Sequence, residues 1–167
     1  MRAPRRLDPE RVVDHLPALY RAARAWTRSR EEAEDLVQET CARILSRPRI
    51  IRGEGELAYL LRSLRNTLIS QRRGEGRRPA TAPLIEESGV GSQPRDDPAE
   101  AAEIHEVHAA IAELPGEFRD ALVAVDVAGL SYREAARALG VPQGTLTSRL
   151  FRARDRLARR LAGEDPQ

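Results

Sequence analysis

The chain has 167 residues, 41% apolar and 32% charged, enough for one or two small cores and too few for a large catalytic architecture. Its 28 basic residues are all arginine, and against 26 acids they leave a formal charge of only +2. The lone cysteine, Cys41, excludes an intrachain disulfide and a cysteine-rich zinc site, and no apolar run approaches the length of a membrane span.

The N-terminal Met-Arg-Ala-Pro-Arg-Arg leads into charged sequence rather than a signal-peptide core, so a cytoplasmic protein is expected. The mild average charge hides alternating blocks. Residues 31–39 hold five acids and no base, residues 43–78 ten arginines against three glutamates, and residues 84–120 ten acids against two arginines.

Asp8 as cap and Pro9 at the first helical position open a helix with apolar residues at Val12, Val13, Leu16, Leu19, Tyr20, Ala23 and Trp26. Pro17 predicts a kink or break near residues 15–17. Ser29 with Glu32 signals a second helix, whose Ala33, Leu36, Val37, Thr40, Cys41, Ile44 and Leu45 share one stripe. After a loop with Pro48, Gly53 and Gly55, a third segment carries Leu57, Leu60, Leu61, Leu64 and Leu68 and runs into Arg72 and Arg73. Glycine and proline then dominate residues 74–99, read as a flexible linker. Ile104, Val107, Ile111 and Leu114 mark the next helix, and Phe118, Ala121, Leu122 and Val125 continue beyond Pro115-Gly116 to Gly129. His105 and His108 have a spacing that zinc could use, but a third ligand is not evident and a surface role explains them.

The last segment has the layout of a helix-turn-helix, which suits double-stranded DNA. Ser131 and Glu134 form a capping box, Ala135, Ala136 and Leu139 give a thin apolar face, and Gly140 can end the helix in the left-handed region. Pro142 starts a second helix that keeps Leu146, Leu150 and Leu157 on the core. Between residues 143 and 162 six arginines face one acid, Asp155, a local charge of 6 − 1 = +5. The expected fold is all-α: helical domains at 8–73 and 100–162, joined by the linker at 74–99, with the helix-turn-helix in the second.

Four stretches in this order resemble the small extracytoplasmic-function (ECF) sigma factors of bacterial RNA polymerase. They are residues 33–40 (AEDLVQET), 59–66 (YLLRSLRN), 113–115 with 129–134 (ELP, GLSYRE), and 144–149 (GTLTSR). The resemblance implies sigma domain 2, which binds core polymerase and melts the minus-ten element, and sigma domain 4, which reads the minus-thirty-five element. By it Asp35, Gln38 and Glu39 dock on polymerase. Tyr59, Arg62, Arg65, Asn66, Arg72 and Arg73 meet the minus-ten region, with Asn66 receiving a flipped base and the arginines gripping phosphates. A helix C-cap is the other chemistry open to Asn66. Thr147, Ser148, Arg149, Phe151, Arg152 and Arg154 fall in the recognition helix, although Phe151 also fits a core position beside Leu150. The partners implied are core polymerase, promoter DNA and a separate anti-sigma protein; no cofactor, metal or catalytic activity is expected. A recombinase or transposase would need a catalytic motif that does not stand out, and a two-domain repressor would bind duplex DNA tightly without polymerase.

Overall fold

The computed structural model describes residues 5–47, 50–51, 55–75 and 98–163. Helices dominate: α1 Pro9–Trp26, α2 Arg30–Leu45, α3 Glu56–Glu75, α4 Pro98–Glu113, α5 Gly116–Leu122, α6 Tyr132–Leu139 and α7 Gln143–Leu161, with a π-turn at Val123–Val127. The one extended feature among the described residues is a two-residue antiparallel bridge, β1 Arg5–Arg6 on β2 Ile50–Ile51. Of the segment expected to be a linker, residues 76–97 lie outside the described residues. Helix α3 runs on through Gly74 and Glu75, and α4 starts at Pro98.

Local chemistry sets the helix ends. Asp8 accepts the Glu10 N–H (3.0 Å), and Ser29 accepts the Glu32 N–H (3.1 Å) while Glu32 reaches back to the Arg28 N–H (3.0 Å). The Glu10 and Glu32 N–H bonds each satisfy a backbone donor that the first turn leaves free, and the bond from Arg28 ties the residue before the cap to the helix. Of the kink or break expected at Pro17, the break does not occur: α1 is one helix through it. Pro17 lies on the exposed side, where the carbonyl it fails to bond can be hydrated, while Val12, Leu19, Ala22, Ala23 and Trp26 hold the inner side in the core. Val13, expected on that stripe, is 62% exposed.

In the first unit α1, α2 and α3 pack on one another around Leu19, Leu36, Leu60, Leu61 and Leu64, all 1% exposed or less. At about 25 cal/mol per Å² of apolar surface, full burial of each leucine contributes about 1.5–3 kcal/mol. The second unit closes α5, α6 and α7 over Val123, Ala135, Leu146, Leu150 and Ala153. Arg119 caps the end of α4, donating to the carbonyls of Ile111 (3.1 Å), Leu114 (2.9 Å) and Ala112. The units touch: α3 packs on α6, and α1 on α4 and the π-turn. Arg65 of α3 holds Asp120 of α5 at 2.7 Å, with side chains 29% and 18% exposed. Gly55 sits so near Glu134 that a Cβ there would lie 2.9 Å from the carboxylate oxygen.

Candidate functional site

The residues singled out by sequence gather in three places. The first is the outer side of α2. Leu36 and Thr40 are buried, Thr40 returning its hydroxyl to the Leu36 carbonyl at 2.7 Å, so Asp35 and Gln38 are left exposed. Glu39 is half-buried and is gripped by Arg43 and by the Gln71 amide of α3. Asp35 and Glu39 line a cleft of about 900 Å³ whose walls also include Trp26, Arg72, Ala112 and Arg119. Burial, with Arg72 nearby, lowers the pKa of Arg119 from its ordinary value.

The second place is a shallow groove of about 330 Å³ between α2 and α3, lined by Thr40, Arg43, Tyr59, Arg62, Asn66 and Ser70 among others. Arg62 lies over the Tyr59 ring, 5.6 Å from its centroid. Asn66 is exposed in the middle of α3, which removes the C-cap reading, since the helix continues to Glu75. The remaining arginines of this set diverge. Arg65 turns to Asp120 (2.7 Å), Arg72 donates to the Trp26 carbonyl (2.7 Å), and Arg73 is exposed.

The third place is the helix-turn-helix. The capping box is complete: the Glu134 N–H reaches Ser131 Oγ (3.3 Å) and the Ser131 N–H reaches Glu134 Oε2 (3.2 Å). Gly140 takes φ 68° and ψ 35°, which turns the chain, and Pro142 then stands at the N-cap position of α7 with no side-chain capping bond. With Leu146, Leu150 and Ala153 buried, α7 presents Thr147, Ser148, Phe151 and Arg152 to solvent. Phe151 is 73% exposed, which settles it as a surface aromatic rather than core.

The count of +5 along α7 omits the acids that neighbouring helices bring to it. Arg149 meets Glu117 (2.7 Å), Arg154 meets Asp126 (2.7 Å) and Arg160 meets Glu113 (2.7 Å), while Arg159 pairs with Asp155 on α7 itself (3.0 Å). Arg156 lies over the Phe118 ring, 5.0 Å from its centroid. The Arg160 hydrogen bond holds the Glu113 carboxyl below the usual carboxylate range. Glu117, Asp126 and Glu113 carry no signal in the sequence that links them to these arginines, because each sits on another element, whereas Asp155 lies one helical turn from Arg159 on α7.

Among the described residues no three histidine, cysteine or acidic side chains come together as a metal would require. His105 is exposed, but His108 is half-buried with Nδ1 enclosed and unbonded, not a surface residue as expected. No helix of the described residues is long and apolar enough to cross a membrane.

Comparison with known proteins places this geometry. The Sigma-70 region 2 family matches residues 11–78, and the Sigma-70 region 4 family matches residues 104–157. The chain is 38% identical to the ECF RNA polymerase sigma factor SigM of Mycobacterium tuberculosis, over 88% of this chain and 73% of SigM. It is 33% identical to the ECF RNA polymerase sigma factor SigE of Mycolicibacterium smegmatis over 92% of its length, spanning 61% of that relative. Its fold is similar to that of the sigma factor RpoE of Bartonella quintana, solved with the anti-sigma factor NepR. The TM-score is 0.70 at 28% identity, covering 93% of this chain and 97% of RpoE.

Proposed function

The chain belongs to the ECF sigma factors of bacterial RNA polymerase, which direct promoter-specific initiation, and on that footing we propose how its residues divide the work. Domain 2, at 8–73, docks on core polymerase through Asp35, Gln38 and Glu39, an acidic and amide-bearing surface that suits a basic partner helix. The α2–α3 groove takes a base flipped from the minus-ten element, with Asn66 reading its edge, Tyr59 stacking, and Arg62, Arg65, Arg72 and Arg73 meeting phosphates. An amide can donate and accept at once, so a single Asn66 suffices to read a Watson–Crick edge. Domain 4, at 100–162, lays α7 in the major groove of the minus-thirty-five element. The observation that carries this reading is the outward display of Ser148, Phe151 and Arg152 on a helix whose opposite side is buried. Phe151 offers an apolar surface to a thymine methyl and Arg152 a fork for a guanine edge.

The protein acts in the cytoplasm, in a stress or signal response, and is held inactive by a separate anti-sigma protein. Support for that partner comes from the solved RpoE relative, which is bound to one.

In vitro transcription tests the reading. Added to bacterial core polymerase, the chain should produce initiation confined to a subset of genomic promoters, while binding promoter DNA weakly by itself, because two tethered readers reach full affinity only when both are anchored. Glu39→Ala should reduce association with core before any DNA step. Tight sequence-specific DNA binding without polymerase, and no initiation with it, would transfer the protein to the repressors.

A further inference from the structure

We propose that Arg149 and Arg154 are positioning residues that fix the rotation of α7 about its axis, one on each edge of its buried stripe, leaving Ser148, Phe151 and Arg152 to meet DNA. The inference rests on the reading of α7 as the recognition helix. It departs from the sequence-based expectation that both arginines contact DNA themselves.

The helix geometry carries the argument. At about 100° per residue, Leu146, Leu150, Ala153 and Leu157 fall within an arc of roughly 60°. On the same projection Arg149 lies roughly 70° to one side of the arc's centre and Arg154 roughly 70° to the other, with Arg160 on the Arg149 side. Each edge is tied to a different neighbour. Arg154 grips Asp126 of the π-turn with two bonds, Nε to Oδ2 at 2.9 Å and Nη2 to Oδ1 at 2.7 Å, and its Nη1 reaches the Tyr132 hydroxyl of α6 at 3.4 Å. Arg149 holds Glu117 of α5 at 2.7 Å, and Arg160 holds Glu113 of α4 at 2.7 Å. Ser148, Phe151 and Arg152 occupy the remaining, outward arc and are exposed.

Ties of this kind control orientation more than stability. Arg154 and Asp126 are 49% and 34% exposed, a setting in which ion pairs add little to folding. A roll of α7 by about 20° would nevertheless carry side chains at a radius of about 5–6 Å through about 2 Å, enough to lose hydrogen-bond geometry at a base edge. Leucine and alanine contacts seat the helix on the core through apolar packing without a directional bond. The planar two-bonded fork of Arg154 adds a directional restraint at the edge of that packing.

The two roles for Arg154 predict opposite effects at Asp126. If Arg154 were a phosphate contact, Asp126 would compete with DNA, and its neutralisation would tighten binding. As a positioning pair, loss of either partner weakens binding. The test uses holoenzyme assembled from core polymerase and the full-length chain, with promoter DNA binding measured across a range of salt. Arg154→Gln and Asp126→Asn should each weaken binding about two- to five-fold, with the salt slope kept and the double variant no weaker than either single one. The exchanged pair, Arg154→Asp with Asp126→Arg, should recover most of the loss. A salt slope flattened by about one charge in Arg154→Gln, together with tighter binding by Asp126→Asn, would overturn the proposal. Residual dipolar couplings of the α7 amides in the free chain read its orientation without polymerase, so a failure of the docking reading is distinguishable from a failure here. A changed orientation of α7 in both single variants, restored by the exchanged pair, supports the tie; unchanged orientation with unchanged DNA binding overturns it.

Discussion

Asn66 shows how the placement of one side chain decides between two chemistries. Both a C-cap and a base reader want an amide, but a cap belongs at a helix end, and Asn66 stands inside α3, exposed and lining the α2–α3 groove. In that place asparagine is a poorer helix former than alanine, because its amide competes for nearby backbone groups. Asn66→Ala should therefore raise stability slightly, by about 0.5 kcal/mol, while slowing open-complex formation and relaxing choice at the minus-ten element. Thermal melting and permanganate footprinting read the two effects separately. Lower stability with unchanged promoter choice would remove Asn66 from the site. Phe151 makes the complementary point: its proximity to Leu150 left core and surface readings open in the sequence, and one helical step of about 100° separates them in the fold.

Among the elements, the helix-turn-helix was the most legible, because capping box, left-handed glycine and proline each carry a mechanism confined to a few neighbouring residues. Gly140 is the sharpest of these, at φ 68°. Gly140→Ala should cost about 1–2 kcal/mol, since a Cβ crowds the following carbonyl in that region. Open space around the position means that the cost arises in the local backbone and not against neighbouring residues. Denaturant titration of the variant, with a loss below about 0.3 kcal/mol, would show that the turn relaxes to another conformation. The π-turn at Val123–Val127 was not legible, because a bond from residue i to i+5 leaves no repeat in so short a run; apolar residues there fit α-helical spacing equally well. Its outcome is visible in Asp126, delivered to Arg154 from a segment that sequence reading treated as plain helix. Ile111 of α4 and Leu114 just past its end are buried as expected, whereas Ile104 and Val107 of α4 are 49% and 38% exposed. His108 of the same helix carries a pH dependence. Burial, then Arg24 and His105, lower its pKa below the ordinary histidine value, so the fold favours the neutral ring and the unfolded chain binds more protons. Stability should fall as pH drops through about 6.5, and His108→Gln should lose that component of the slope in urea titrations between about pH 7.5 and 5.5.

For the whole molecule, the helical class and the order of its parts were readable from apolar periodicity, since that period reports the face each helix must bury. The packing between units was not. Arg65, Asp120, Gly55 and Glu134 lie far apart in the chain and belong to no shared pattern, so their meeting is a property of the folded surfaces alone. The Arg65–Asp120 pair has a consequence for affinity. On the proposed role of Arg65, Asp120 takes its Nε and Nη2 donors, and the carboxylate charge opposes a phosphate brought to the donors that remain, so promoter DNA binds more weakly while the pair is closed. Asp120→Asn, which leaves Arg65 and its charge intact, should lower the apparent constant of holoenzyme for promoter DNA by about two- to five-fold; an unchanged or raised value would count against competition at Arg65. Linkage makes the relation reciprocal: promoter DNA must weaken the hold of α3 on α5 by the same factor by which that hold weakens DNA. Fluorophores placed on the two units would test whether that loosening frees them to separate, in which case the protein acts as its own gauge of DNA bound.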